Sequence, residues 1–247
     1  MTKKPFFSII IPTLNEERYL PRLLKNLAEQ TFKNFEVIHV DGNSDDQTVS
    51  KAKAFAKKLS IKTFVVKKRS VSFQRNTGAK KAKAKWIIFM DADIELPASF
   101  LEKIEKKLTK LKKKVDFFTC YQESKNYPLK FKLLAHSSNL ISTIMKKFRS
   151  LAPGALLGIR KIYTTKISFN QKFDGYEDYD YCNQASKKGY QFQLFKNPKF
   201  TYSMRRVKKE GLIKILFEQF KLNLELTRKK QLVNKSKRKM LGGASYN

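Results

Sequence analysis

Acidic and amide side chains follow three predicted strands of this 247-residue sequence at the points where those strands end. They are Asn15 and Glu16 after residues 6–11, Asp41 after residues 35–40, and Asp91 and Asp93 after residues 86–90. Ligands of open α/β sheets bind beyond the carboxyl ends of the strands. We therefore expect these side chains to converge at one edge of a sheet, a placement that scattered solubilising acids would not show.

The Asp91-Ala92-Asp93 segment predicts a divalent metal site. In an extended segment, residues i and i+2 point to the same side, and only a small residue separates these two carboxylates. Such oxygens suit Mg²⁺ or Mn²⁺ with positions left open for phosphate oxygens. Asp178-Tyr179-Asp180 has the same pattern, but it lies at a predicted helix start, where the two side chains diverge.

Other common catalytic patterns are missing from the sequence. It has no Walker loop, no G-x-G-x-x-G and no H-E-x-x-H, which argues against the usual nucleotide hydrolases, dinucleotide enzymes and zinc proteases. His39 lies in a predicted strand and His136 in an amphipathic stretch. A structural role is therefore expected for both histidines, and a Ser-His-Asp site is poorly supported.

The elements that must position these residues alternate between strand and helix. Predicted strands are 6–11, 35–40, 61–66, 86–90, 115–121 and 192–195, and predicted helices lie at 20–28, 49–59, 74–84, 100–111, 128–150 and from about 177 to 188. A short β-like piece contains Gly158 and Tyr163. This order predicts a doubly wound, mainly parallel sheet.

A basic segment ends the chain. Residues 199–239 contain 14 Lys and Arg, and Ile213, Leu216, Phe217, Phe220 and Leu224 fall on one helix face. This face has three possible partners: an anionic membrane, the catalytic domain, and a second subunit.

Composition narrows the class of protein further. The chain carries 53 Lys and Arg against 21 Asp and Glu, a net charge of +32, and is 41% hydrophobic. Wholesale disorder is excluded by the apolar content, and a disulfide scaffold by the two cysteines, Cys120 and Cys182, which we interpret as ordinary thiols. With no transmembrane stretch or signal peptide in view, we expect the cytoplasm. The charge indicates polyanionic partners.

Five motifs in order resemble glycosyltransferase family 2, the inverting GT-A group that uses nucleotide-diphosphate sugars. They are Ile10-Ile11-Pro12-Thr13-Leu14-Asn15-Glu16-Glu17, Val40-Asp41-Gly42-Asn43-Ser44-Asp45-Asp46-Gln47-Thr48, Gln74-Arg75-Asn76-Thr77-Gly78, Phe89-Met90-Asp91-Ala92-Asp93 and Phe173-Asp174-Gly175-Tyr176-Glu177-Asp178. The similarity covers about residues 6–206. Each motif is modest, but their joint order and spacing are specific.

The resemblance implies a set of site residues. Nucleotide-sugar binding falls to Pro12, Thr13, Asn15, Glu16, Asp41, Arg75 and Asp91. Asp93, with Asp91, corresponds to the site for Mn²⁺ or Mg²⁺, and Asp178 to the general base. Gly154, Glu177, Arg205 and Arg206 are expected to contact the acceptor or the diphosphate. An equally good interpretation of the two arginines is that they are simply the first residues of the basic C-terminal segment.

Two features depart from the family pattern. Asn43 stands where serine is common, and no histidine follows His136, whereas several relatives supply a late histidine to the metal. The ligand set beyond Asp93 is therefore open.

The sequence thus predicts an inverting glycosyltransferase acting in cell-envelope glycan or glycolipid synthesis. Its expected partners are a nucleotide-diphosphate sugar, a glycan or lipid-linked acceptor, and an anionic membrane contacted peripherally from the cytoplasmic side. One alternative is a polyprenyl-phosphate glycosyltransferase, against which the Glu177-Asp178 pair argues, since a phosphate acceptor needs no base. A nucleic-acid-binding protein is the alternative from another class, although clustered acids would repel phosphate and no specific nucleic acid is expected.

The predicted organisation has two parts. Residues 1–206 form the GT-A domain, with a nucleotide-sugar half of about 1–121 and an acceptor half of about 122–206. Residues 207–247 form a basic, amphipathic helical extension.

Overall fold

A computed structural model describes residues 4–111, 114–124, 127–145, 155–172 and 177–203, together with residues 205, 211, 214 and 217. The strands are β1 (Phe7–Thr13), β2 (Phe35–Asp41), β3 (Ile61–Val65), β4 (Trp86–Met90), β5 (Ile94–Glu95), β6 (Phe117–Glu123), β7 (Leu156–Arg160) and β8 (Phe192–Tyr202). The helices are α1 (Leu20–Ala28), α2 (Thr48–Ala54), α3 (Val71–Lys81), α4 (Phe100–Leu111), α5 (Leu129–Met145) and α6 (Glu177–Lys187).

The described strands form one sheet in the order β3-β2-β1-β4-β7-β6-β8-β5. Strands β3, β2, β1 and β4 are parallel to one another, β7 runs antiparallel to both β4 and β6, and β8 is parallel to β6. The carboxyl ends of β1, β2, β4, β6 and β8 consequently lie at the same edge. The predicted doubly wound, mainly parallel sheet is confirmed, and β7 and β5 are its antiparallel strands.

Apolar layers cover both faces of the sheet. On one face Ile9 and Ile11 of β1 pack in a cluster with Leu23 of α1 and Ile104 of α4. On the other, Ile10 lies in a cluster with Tyr181, Cys182 and Ala185 of α6. Alternate residues of β1 therefore pack in opposite layers, which explains the continuous apolar run of residues 9–12.

Several boundaries differ from the predicted ones. Strand β1 continues through Pro12 to Thr13, and α3 begins at Val71, three residues before the predicted start, because the Ser70 hydroxyl caps it by accepting from the Phe73 amide. Helix α2 ends at Ala54 and continues only as a 3-10 turn. Strand β8 extends to Tyr202 instead of Phe195, and β5 was not predicted.

None of the helices in the described part of the chain has the length and apolar composition needed to span a lipid bilayer. The basic extension, 207–247, lies outside the described residues apart from Gly211, Lys214 and Phe217.

Candidate active site

The carboxyl edge of the sheet gathers charged side chains from five parts of the chain. They are Glu16 after β1, Asp91 and Asp93 after β4, Arg75 in α3, Glu177 and Asp178 at the start of α6, and Arg205 after β8. Hydrogen bonds and ion pairs connect the two arginines with Glu16, Asp91, Asp93 and Glu177 in two networks. The expected convergence of acids at one edge is therefore observed, and each network has an arginine at its centre.

The first network surrounds Arg75. Its guanidinium donates through Nη2 to Asp91 at 2.8 Å and through Nη1 to Glu177 at 2.9 Å, and it lies 5.1 Å from the centre of the Phe169 ring. The Arg75 side chain is almost completely buried. Burial disfavours its charge, but Asp91 and Glu177 outweigh this effect and raise the pKa of Arg75 above its usual value. Arg75 is a permanent cation that ties α3, β4 and α6 together.

The second network surrounds Arg205. Its two terminal nitrogens each donate to one oxygen of Glu16 at 2.7 Å, and its Nε lies 3.0 Å from an oxygen of Asp93. The guanidinium also lies 4.7 Å from the centre of the Tyr19 ring. This two-pronged pairing with Glu16 is the geometry in which arginine binds a carboxylate most specifically.

Burial changes the protonation of the carboxylates in this second network. It raises the pKa of Asp93 to about 7, with the neighbouring charges of Asp91 and Glu16 adding to the rise and Arg205 opposing it. It also raises the pKa of Glu16, again against the effect of Arg205. Groups with such shifts in a cleft are typical of functional sites.

Asp178 lies in the first turn of α6, beside Glu177. Its pKa is raised to about 7 by burial and by the negative charge of Glu177, while Arg75 acts in the opposite direction. One oxygen of Asp178 accepts from the Tyr179 amide. Asp180 points elsewhere and accepts a hydrogen bond from Gln184 at 2.7 Å. The expected divergence of Asp178 and Asp180 is confirmed.

Asp41 lies deeper than the other acids. It is fully buried, and its oxygens accept from the Thr13 hydroxyl and from both the amide and the hydroxyl of Ser44, each at 2.7 Å. His39, on the same strand, is hydrogen-bonded to Thr13 and Thr63, and burial lowers its pKa to about 4. The expected structural role of His39 fits this position.

The loops after β1 and β2 brace each other. The Asn15 side chain accepts from the Asp45 amide at 2.8 Å, and the Asn15 amide donates to the Ser44 hydroxyl at 2.9 Å. Asn15 and Asn43 have φ values of 55° and 64°, a conformation that asparagine adopts more readily than most residues. This accounts for an asparagine at position 43, where serine had been the expected residue.

The Asp91-Ala92-Asp93 segment is not extended. Strand β4 ends at Met90 and residues 92–93 form a turn, so the two carboxylates bind different arginines. The expectation of an extended segment was wrong because the backbone turns at Ala92 and Asp93, directly after the last pairing bond, from the Asp91 amide to the Ala155 carbonyl at 3.0 Å. The carboxylates nevertheless remain electrostatically coupled, since Asp91 contributes to the raised pKa of Asp93.

The donor set fits a Mg²⁺ or Mn²⁺ ion bound partly by its substrate. Within the described residues no group of three or more His, Cys, Asp and Glu side chains is arranged to hold an ion. Mg²⁺ commonly uses one or two carboxylates together with phosphates and water. Asp93 and Asp91 would supply such a pair, and Arg205 would have to share Asp93 with the ion.

Some predicted residues lie elsewhere or cannot be placed. Pro12 and Thr13 are buried within β1, and Gly154 and Arg206 lie outside the described residues. Sequence reasoning missed Tyr19, Phe169 and Gln74, whose amide donates to the Thr13 carbonyl at 2.6 Å. Gln74 could have been suspected from its place beside Arg75, but no sequence signal brings Tyr19 to Arg205.

The carboxyl edge of a mainly parallel α/β sheet is where such folds bind ligands, and here this edge gathers carboxylates and arginines. The family model for glycosyl transferase family 2 matches residues 8–173. The chain therefore belongs to glycosyltransferase family 2, as its motifs predicted.

Curated relatives resemble part of the chain. The PGL/p-HBAD biosynthesis glycosyltransferase of Mycobacterium bovis is 39% identical over 94 residues, which cover 37% of each chain. The poly(ribitol-phosphate) beta-N-acetylglucosaminyltransferase TarS of Staphylococcus aureus is 37% identical over 91 residues, covering 35% of this chain and 16% of TarS. The matched region thus spans well under half of either relative.

Solved structures share the fold over a greater length. TarS 1–349 in complex with UDP-GlcNAc superposes with a TM-score of 0.64 at 20% identity, covering 91% of this chain and 67% of that one. The mannosyltransferase PcManGT from Pyrobaculum calidifontis, in complex with GDP-Man and Mn²⁺, gives a TM-score of 0.69 at 18% identity and covers 93% and 66%. At these identities the likeness concerns the fold.

Proposed function

We propose that the protein transfers a sugar from a nucleotide-diphosphate sugar to an acceptor hydroxyl, with inversion at the anomeric carbon. The observation that carries the proposal is the convergence of Asp91, Asp93 and Asp178 with Arg75 and Arg205 at one sheet edge. Family membership and the nucleotide-sugar complexes of the structural neighbours support it. Domain 1–206 would carry the reaction.

Asp178 is the proposed general base. Its carboxylate accepts the proton of the acceptor hydroxyl while that oxygen attacks the anomeric carbon, and the bond from this carbon to the diphosphate oxygen breaks with its electrons going to the diphosphate. A base with a pKa of about 7 is well matched to neutral pH. The unprotonated form is required, so the transfer rate rises with pH through about 7 and is constant above it.

Departure of the diphosphate needs positive charge. Arg205 is the described arginine that is both partly exposed and next to Asp93, and it supports binding of the diphosphate. Asp93 and Asp91 would hold the Mn²⁺ or Mg²⁺, which when bound neutralises charge on the leaving phosphates. Arg75 keeps Glu177, and with it the start of α6, in a fixed position.

The acceptor and the cell location belong to the same proposal. The acceptor is a glycan or lipid-linked molecule of the cell envelope. The name of the relative TarS supports this, since it gives poly(ribitol-phosphate) as the acceptor of that enzyme. The protein works in the cytoplasm, and residues 207–247 contact the inner face of an anionic membrane. Loss of vesicle binding on truncation after Arg206 tests that contact, and unchanged binding by the truncated chain rules it out.

Donor binding and transfer are tested separately. A thermal-shift screen of UDP and GDP sugars with and without Mn²⁺ identifies the donor, because a ligand that binds only the folded state raises the melting temperature. Transfer of labelled sugar from that donor is then measured on a panel of glycan and lipid-linked acceptors. Absence of any donor shift in this screen would contradict the proposed function.

Asp178→Asn tests the base, with Asp180→Asn as its matched control on the same helix turn. Asparagine still accepts the Tyr179 hydrogen bond but cannot take a proton, so transfer falls at least about a hundredfold while donor binding and melting temperature are retained. Asp180→Asn leaves transfer within a few-fold of wild type. Near-normal transfer by Asp178→Asn would make Asp178 a helix-start residue and direct attention to Glu177.

A further inference from the structure

Helix α5 packs on the sheet through one face, on which Phe131 is buried together with small and polar residues. Ala135 and Ser142 are buried on this face, and the Asn139 side chain forms two hydrogen bonds with the backbone of Gln122 in β6, at 3.0 and 2.8 Å. The Thr143 hydroxyl also contacts Tyr121. These bonds fix the rotation of the helix, so the direction of its opposite face is determined.

The opposite face is apolar and exposed. Leu129 is 70% exposed, Leu133 61%, Leu140 53% and Ile144 51%. The spacings of four, seven and four residues align them in one stripe about 22 Å long at 1.5 Å per residue. We call this set of four residues the α5 stripe. Helices of water-soluble domains normally turn such residues inward, and contiguous exposed apolar surface marks an interaction site.

Charge indicates what covers the α5 stripe. No Asp or Glu occurs from residue 124 to residue 173, whereas this stretch contains ten Lys and Arg, among them Lys132, which is exposed on α5. An apolar helix face accompanied by lysines is typical of helices that lie in the surface of a bilayer. The negative surface potential of anionic lipids attracts such basic residues.

The same charges disfavour other occupants. A second copy of the chain would bring this acid-free stretch against itself or against another surface of a protein with net charge +32. Residues 207–247 carry 11 Lys and Arg against three Glu, so this tail would also place like charges together. An anionic lipid surface is complementary in both its apolar and its charged layer.

We propose that the α5 stripe docks the protein on an anionic lipid bilayer. Helix α5 begins at Leu129, six residues after β6 ends at Glu123 on the same sheet edge as the candidate active site. Docking therefore brings lipid headgroups near that edge. The surface is separate from both the site and residues 207–247, and the inference holds whether or not the donor assignment is correct.

The test compares two variants of the full chain. Leu133→Ser/Leu140→Ser/Ile144→Ser removes most of the α5 stripe, while Val65→Ser/Ile162→Ser, at 53% and 67% exposure on other elements, is the matched control. Co-sedimentation is measured with phosphatidylcholine vesicles and with vesicles in which about a third of the lipid is phosphatidylglycerol. Wild type and control bind the anionic vesicles, and the triple variant binds at least tenfold more weakly at an unchanged melting temperature.

A second measurement reports insertion directly and does not depend on the fold tolerating three substitutions. In Leu133→Trp, the introduced indole shifts its emission to shorter wavelength on anionic vesicles and is quenched by brominated acyl chains, whereas the buried Trp86 is not affected. Three results overturn the proposal: an affinity of the triple variant for anionic vesicles equal to that of wild type, no binding of wild type to anionic vesicles, or an indole at position 133 that is not quenched. A wild-type dimer that the triple variant dissociates would also overturn it, since α5 would then join two copies.

Discussion

Replacing Arg75 by methionine should strongly destabilise the protein, because it leaves two carboxylates without their shared cation. Arg75 Nη2 and Nη1 lie 2.8 and 2.9 Å from Asp91 and Glu177, and the arginine and glutamate side chains are only 3% and 11% exposed. Methionine keeps similar bulk and apolar contact. The measured effect is therefore mainly that of the missing charge and hydrogen bonds.

The expected magnitude follows from burial. Removing one partner of a buried ion pair costs about 3–5 kcal/mol. Asp91 is about a third exposed, so its share is reduced by solvent, and we take the lower part of that range, about 3–4 kcal/mol. For a chain of this size each kcal/mol lowers the melting temperature by about 2–4 °C, which gives a fall of roughly 6–16 °C.

The matched control is Arg22→Met. Arg22 pairs with Glu95 at 2.6 Å, but at 66% and 36% exposure this surface pair should contribute about 1 kcal/mol at most. Melting temperatures of both variants are compared with wild type at pH 8 and pH 5. Arg75→Met leaves negative charge at this site without its buried cation, and acid relieves such charge, so the lost stability is larger at pH 8 than at pH 5.

Two results would refute this reasoning. The first is a melting temperature of Arg75→Met within about 2 °C of that of Arg22→Met. The second is a fall in melting temperature, relative to wild type, that is as large at pH 5 as at pH 8. The double variant Arg75→Met/Glu177→Gln provides an internal check, because removing the unpaired negative charge should restore part of the stability at pH 8.

Three further predictions concern the metal, a buried histidine and a glycine. Asp93→Asn should abolish the Mn²⁺-dependent part of the donor thermal shift while Asp45→Asn, an exposed control, keeps it; an unchanged metal-dependent shift would contradict the metal assignment. The pKa of His39 is lowered to about 4, so below pH 6.5 the unfolded chain binds a proton that the folded protein does not, and stability decreases as the pH falls. His39→Gln should therefore remove about 2 kcal/mol of the stability lost between pH 7 and pH 5, measured by urea unfolding. The same pH dependence in wild type and variant would contradict this. Gly78→Ala should destabilise by about 1–3 kcal/mol, since its Cβ would lie 2.4 Å from Ile10 Cγ2, and an unaltered melting temperature would show that α3 can shift away.

Strands with continuous apolar runs were predictable from sequence because they are buried on both faces. Strand β4 and residues 9–12 of β1 are of this kind, whereas β2 is equally buried but includes Glu36 and His39. Strand β5 has only two residues and exists through its pairing with Tyr202 and Thr201, far away in the chain, so it has no pattern of its own. The full length of β8 was hidden by Pro198, which lies where the β6–β8 register shifts.

The site could be predicted in part for a similar reason. Topology alone brings residues after β1 and β4 to one edge, so the convergence of Glu16, Asp91 and Asp93 followed from the order of elements. The choice of arginine for each carboxylate could not be predicted. Arg205 is 189 residues from Glu16, and Arg75 is 102 residues from Glu177, and such pairings depend on the tertiary packing of β8 and α6.

The two arginines differ in what they can do when an anionic ligand enters. Arg75, at 3% exposure between Asp91 and Glu177, has no open side from which a ligand could approach, so it acts through the positions of its partners. Arg205 is 25% exposed and holds Glu16 and Asp93 from the outer side. A diphosphate reaching Arg205 must therefore compete with Glu16, and an ion reaching Asp93 must compete with Arg205. When metal and diphosphate bind together, neither Asp93 nor Arg205 would lose an oppositely charged partner, because the ion would replace the guanidinium at Asp93 and the phosphate would replace a carboxylate at Arg205. Each ligand should therefore bind more tightly in the presence of the other.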